Sequence, residues 1–174
     1  MSELDEAWAF ALAEAEQRAR LSGRQDVADY LALRNSNDLL RKTGVDWLVR
    51  CFTEIAGEEN RTGSGIQISQ DEQHRFRVAS ATMVGRLLVL KSGVRTLFVE
   101  AGWPRTPRDG FIRGSGLACG NIRHLGISSA SEQLLLTTTE TGAPRWMVVN
   151  KHTGRLQLGS DAIRRHLKIL VDNK

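Results

Sequence analysis

The sequence predicts an α+β fold: N-terminal helices packed on an antiparallel β meander, as a sheet or a partly closed barrel, followed by a C-terminal helix. Three observations carry this expectation. Apolar residues recur at helical spacing through the first third of the chain and in short β-favouring runs from residue 74 onward. The connections between many of those runs are too short for crossover helices, so neighbouring strands must be antiparallel. Net charge changes sign at the same boundary: residues 1–60 hold 12 acids and 7 bases, and residues 61–174 hold 8 acids and 17 bases. The expected organisation is an acidic helical subdomain over 1–60 and a basic β-rich domain over 66–174, folding as one cooperative unit.

The first helix starts after Ser2, a natural N-cap, with Glu3, Asp5 and Glu6 in a first turn where the helix dipole favours negative charge. Leu4, Trp8, Ala11, Leu12, Ala15 and Ala19 follow at three- and four-residue steps as one apolar stripe. Glu14 with Arg18 and Glu16 with Arg20 are i,i+4 pairs in the favourable order, and Gly23 is the stop. A second helix is expected at 25–34, with Val27, Tyr30 and Leu31 on one face, broken by the NSND run at 35–38. A third covers about 38–56, burying Leu48, Cys51, Phe52 and Ile55, with Gly44 as a kink or split and Gly57 as its end. GEENRTGSG at 57–65 reads as the connector.

The β runs are expected at 75–80, 83–91, 94–101, 133–139, 145–150 and 155–158, with turns at Ser92-Gly93, Thr141-Gly142 and 151–154. His152 falls at a hairpin tip. The closing helix over 161–171 is capped by Ser160. It turns Ile163, Leu167, Leu170 and Val171 inward and Arg164, Arg165, His166 and Lys168 outward. A meander closed by one helix over 66–171 is similar in outline to pleckstrin-homology-like barrels, in element order alone. An open sheet backed by the front helices fits the same pattern.

Residues 102–130 are the least regular stretch and read as a long loop, with six glycines and four arginines against one acid, Asp109. Trp103, Arg105, Arg108, Arg113 and Arg123 are the candidate ligand- or anion-binding residues, because an aromatic platform beside guanidinium groups suits stacked bases and phosphates. The 19 arginines of the chain also fit a GC-rich coding sequence, which would carry no binding meaning. Cys119 and His124, in the same loop, are the weak catalytic candidates: a thiol in an exposed basic loop would have its pKa lowered. The string Gly114-Ser115-Gly116-Leu117-Ala118-Cys119-Gly120 lacks the spacing of a dinucleotide fingerprint and fails the nucleophile elbow, since Arg113 stands where a glycine belongs. No Walker sequence is present, and no second Cys/His pair completes a zinc set, so no cofactor and no metal are expected.

The opening MSELDEAWAF lacks the positive start and apolar core of a secretory leader, and no stretch is long and apolar enough to span a membrane. With Cys51 and Cys119 far apart in sequence, a reduced cytoplasmic protein is expected. Two functional readings stay open. In the first, the chain is a binding or regulatory module whose basic lobe and Arg/Trp loop engage nucleic acid or an acidic protein surface. In the second, it is a small-ligand protein or enzyme with a pocket between sheet and helices, lidded by 102–130. Association of front and back halves into a homo-oligomer is a third expectation.

Overall fold

The computed structural model describes residues 3–172, with side chains described from 10 to 172. The Ser2 cap lies outside them, as do the side chains of the expected first-turn acids Glu3, Asp5 and Glu6 and of Leu4 and Trp8 on the expected stripe. Among the described residues the order is α1 (Glu3–Leu21), α2 (Gln25–Arg61), β1 (Gln67–Val78), β2 (Ala81–Ser92), β3 (Arg95–Trp103), β4 (Ala118–His124), β5 (Glu132–Thr138), β6 (Pro144–Asn150), β7 (Gly154–Gln157) and α3 (Ser160–Val171). The seven strands form one antiparallel sheet in sequence order, open at β1 and β7. The α+β expectation therefore holds in its open-sheet form. No helix among the described residues is long and apolar enough to cross a membrane. The chain divides into two compact units, residues 1–40 and 41–174.

In the first unit, α1 ends where expected, with Gly23 in the left-handed region at φ +73. Leu12 and Ala19 of the expected stripe are buried, as is Ala28. Tyr30, expected on a buried face, is exposed.

Three expectations about the helices are corrected. The NSND run does not break the chain, and α2 is continuous over 37 residues. Asn, Ser and Asp each cost only about 0.5 kcal/mol in a helix, far less than proline, so the turn signal is overridden. Gly57 does not end α2, which continues to Arg61. Gly44 does not split it, and its value is proximity. A Cβ there would sit 2.7 Å from Leu136 methyls on β5. The bare backbone lets Trp146 Nε1 donate to the Gly44 carbonyl at 2.8 Å. At the other end of the chain, the cap position of α3 falls on Gly159, not Ser160.

The strand alternation sorts the sheet into two faces. One carries Leu88, Leu90, Leu97, Val99, Ala118, Ile122, Leu134, Leu136 and Trp146 into the main core. There they meet Val45, Leu48, Phe52, Ile55 and Ala56 of α2 and Ile163, Leu167 and Leu170 of α3. Arg164 pairs with Glu58 at 2.9 Å, linking α3 to α2. The opposite face has only a small apolar cluster of Phe76, Ala81, Met83, Cys119 and Leu135. It is otherwise open, and it carries the polar groups described next.

Candidate functional site

The expected 102–130 loop is not one loop. Its middle, Ala118–His124, is β4, hydrogen-bonded between β3 and β5 near the centre of the sheet. The glycines and the short apolar run hid it, because Gly120 supplies no side-chain pattern. The remaining irregular segment, 104–117, folds over the open face. Asp109, the lone acid there, accepts from the Thr106 amide at 2.9 Å and hydroxyl at 3.0 Å. These bonds hold its carboxyl below the usual range. Arg41 of α2 ties down the end of the segment by donating to the Leu117 carbonyl at 2.8 Å.

Under this segment lies a cavity of about 320 Å3 on the open face. Its floor comes from β2, β4, β5 and β6 through Met83, Cys119, Asn121, Gln133, Leu135 and Val149, and its rim from Phe111, Ile112, Arg113, Gly114 and Arg155. The lining is mostly apolar, with two guanidinium groups, two side-chain amides and no carboxylate. Phe111 is 80% exposed at the mouth. Arg155 is anchored over the mouth by donating to the Gly114 carbonyl at 3.3 Å. Among the described residues the non-glycine positions with positive φ are Ala79 (53°) and Ser115 (59°). Ala79 lines this cavity and Ser115 follows Gly114 at its rim, and such strain collects at ligand sites. A pocket between sheet and helices was expected. This one lies on the opposite face, because α2 and α3 seal the other with apolar side chains.

Beside the cavity sits a buried carboxylate. Glu100 of β3, 5% exposed, accepts from His74 Nε2 at 2.7 Å and from Asn121 Nδ2 at 3.0 Å, with Arg123 Nε at 3.7 Å. His74 lies two strands away. It reaches Glu100 across Gly85, its partner on β2, where no side chain intervenes. A Cβ at Gly85 would meet the Ala101 carbonyl oxygen. A buried polar group needs hydrogen-bond partners, and Glu100 has them in His74 and Asn121.

The candidate residues from sequence do not converge. Trp103 is buried in the main core, and the Arg105 guanidinium covers its ring at 3.7 Å, so it offers no stacking platform. Arg108 is exposed on a 3-10 turn, Pro107–Asp109. Arg113 joins the cavity. Arg123 packs over Phe98 at 5.2 Å, beside a shallower depression lined by His124, Ser128 and Ser131.

Cys119 and His124 do not form a pair. Five residues apart on one strand, they point to opposite faces and stand roughly 16 Å apart. Burial pushes the Cys119 thiol up to about 11, the reverse of an activated nucleophile. His124 instead turns to α3, where His166 is not on the outer side as expected but 1% exposed. His166 Nε2 donates to Glu132 Oε2 at 3.1 Å. Its Nδ1 is hydrogen-bonded to His124 Nε2 at 2.9 Å, the tautomer deciding which ring donates. Burial first, then His166 and Arg95, lower His124 to about 4, against a smaller opposing pull from Glu132. The hydrogen bond from His166 holds the Glu132 carboxyl low.

Sequence reasoning missed Asn121, Gln133, Arg155 and His74, and it named Glu100 only as a strand-end acid that could line a pocket. Their common signal, polar residues on one face of adjacent strands, is visible once register is known. Among the described residues no cluster of three or more His, Cys, Asp or Glu could hold a metal ion. The fold and cavity define an open, helix-backed antiparallel meander with a ligand-sized hollow on its bare face. Comparison with family models, curated proteins and solved structures found no match to this chain.

Proposed function

We propose that the protein is a binding module whose open sheet face takes a small amphipathic anion in the cavity beneath the 111–114 segment. The observation that carries this is the lining: an apolar hollow with Arg113 and Arg155 at its rim and no carboxylate. Its volume of about 320 Å3 suits a ligand of modest size. Apolar walls favour a hydrophobic body, and two guanidinium groups favour a carboxylate or phosphate head. The reading joins the anionic partner expected of the basic half to the small-ligand expectation. It gives nucleic acid less support, since Trp103 is closed to stacking. The free cysteines Cys51 and Cys119 support a reducing, cytoplasmic setting for it.

The test is calorimetric titration of the whole chain with phenylpropionate and with phenylpropylamine, which share a body and differ in charge. The carboxylate is expected to bind and the amine not to. Arg113→Gln with Arg155→Gln should weaken the carboxylate at least tenfold. Absence of binding by the acid, or equal binding by the amine, refutes the proposal.

A further inference from the structure

We infer that the cavity selects an amphipathic acid carrying a hydrogen-bond donor, a hydroxyl or N–H, on the end remote from its charge. This rests on the anion-binding reading above and adds the chemistry of the other end of the ligand.

The argument starts from register. Asn121 of β4 pairs with Gln133 of β5, Gln133 with Val149 of β6, and Val149 with Arg155 of β7. These four residues form one cross-strand row, and all four line the cavity. At about 4.8 Å per strand the row spans roughly 14 Å between end Cα atoms. It runs from a cation at Arg155, past an apolar residue, to two amides. A ligand with its anionic head at the Arg113 and Arg155 end lays its body over Val149 and Leu135 and brings its far end to Asn121.

Asn121 does not present either face of its amide at will. Its Nδ2 donates to Glu100 Oε1 at 3.0 Å. Turning the amide over would set Oδ1 against a carboxylate oxygen, two acceptors with no proton between them. Glu100 is itself held, with Oε2 taken by His74 at 2.7 Å and Arg123 Nε at 3.7 Å from Oε1. The buried carboxylate thus fixes the polarity of the cavity floor. Glu100 acts as a positioning residue, and Asn121 Oδ1 is the acceptor left for the ligand. An acceptor at that end of the ligand meets an acceptor and loses its water, whereas a donor is satisfied. Gln133, exposed and next in the row, has an amide that can turn to match either.

The experiment compares phenylpropionate with its para-hydroxy counterpart on the intact protein, by calorimetry. The hydroxylated acid is expected to bind about fivefold to tenfold tighter. In Asn121→Ala and in Glu100→Gln the ratio of the two affinities should fall toward one, whatever either substitution does to absolute affinity. Equal affinity in the unmodified protein overturns this inference and leaves the anion-binding proposal standing. Binding of neither acid overturns both. The wild-type ratio decides the question even if a variant fails to fold.

Discussion

Lowering the pH should weaken the fold through one buried histidine, by an amount the structure allows to be worked out. His124 is neutral in the folded protein at pH 7 and hydrogen-bonded to His166 in a chain that ends on Glu132. Its folded pKa is about 4 against an ordinary 6.5. Above pH 6.5 neither folded nor unfolded protein protonates it, and its contribution is complete. Between 6.5 and 4 the unfolded chain takes a proton that the folded one refuses, so stability falls as pH falls. Below 4 both states are protonated and the loss is full. At 1.36 kcal/mol per pKa unit the whole window is worth about 3 kcal/mol. Glu132, whose carboxyl is held low, adds a loss of the same sign further into acid. His124→Gln isolates the histidine, because the glutamine amide can donate to or accept from His166 but does not titrate. Urea unfolding at a series of pH values, followed by tryptophan fluorescence, measures both proteins. The wild-type stability minus that of the variant should shrink by about 3 kcal/mol between pH 7.5 and 4. A difference that stays flat, or grows in acid, refutes the reasoning.

Cys119, buried and with its pKa raised to about 11, should resist alkylation at pH 8 in the folded protein and react once urea is added; peptide mapping identifies the labelled thiol. Gly44→Val should destabilise by about 2 kcal/mol or more, since its side chain would enter the space held by Leu136 methyls; a lowered Tm with unchanged helical signal checks it. Ala79→Gly should stabilise by about 1 kcal/mol, because Ala79 sits at φ 53 in the hairpin between β1 and β2; the shift in urea midpoint measures it.

How far the sequence reached depended on which residues carried a local pattern. The first helix stop at Gly23, the hairpin between β2 and β3, and the apolar stripe of α3 were legible because caps and periodicity are properties of adjacent residues. The continuity of α2 through 35–38 was not, since Asn, Ser and Asp serve turns and caps yet cost a helix only about 0.5 kcal/mol each. The strand β4 was hidden by glycines whose role is close backbone approach. The start of β1 at Gln67 was hidden by polar residues on an edge strand exposed along much of its length. Of the candidate site, Arg113 alone of the five binding residues was placed where the cavity formed. Arg155 and Asn121 lie 34 positions apart in the chain, and nothing local to either marks the row that joins them.

The sequence by itself determined the class, the order of most elements and the identity of much of the buried set. These follow from the spacing of apolar side chains, and spacing is written in the chain. Only the tertiary structure decided which face of the sheet stays bare and that Glu100 is buried among His74, Asn121 and Arg123. It alone set Cys119 and His124 on opposite sides of one strand. Those facts depend on register across strands, where a shift of one residue exchanges every side chain between faces. Register is settled by packing against α2 and α3, and that packing involves residues far apart along the chain.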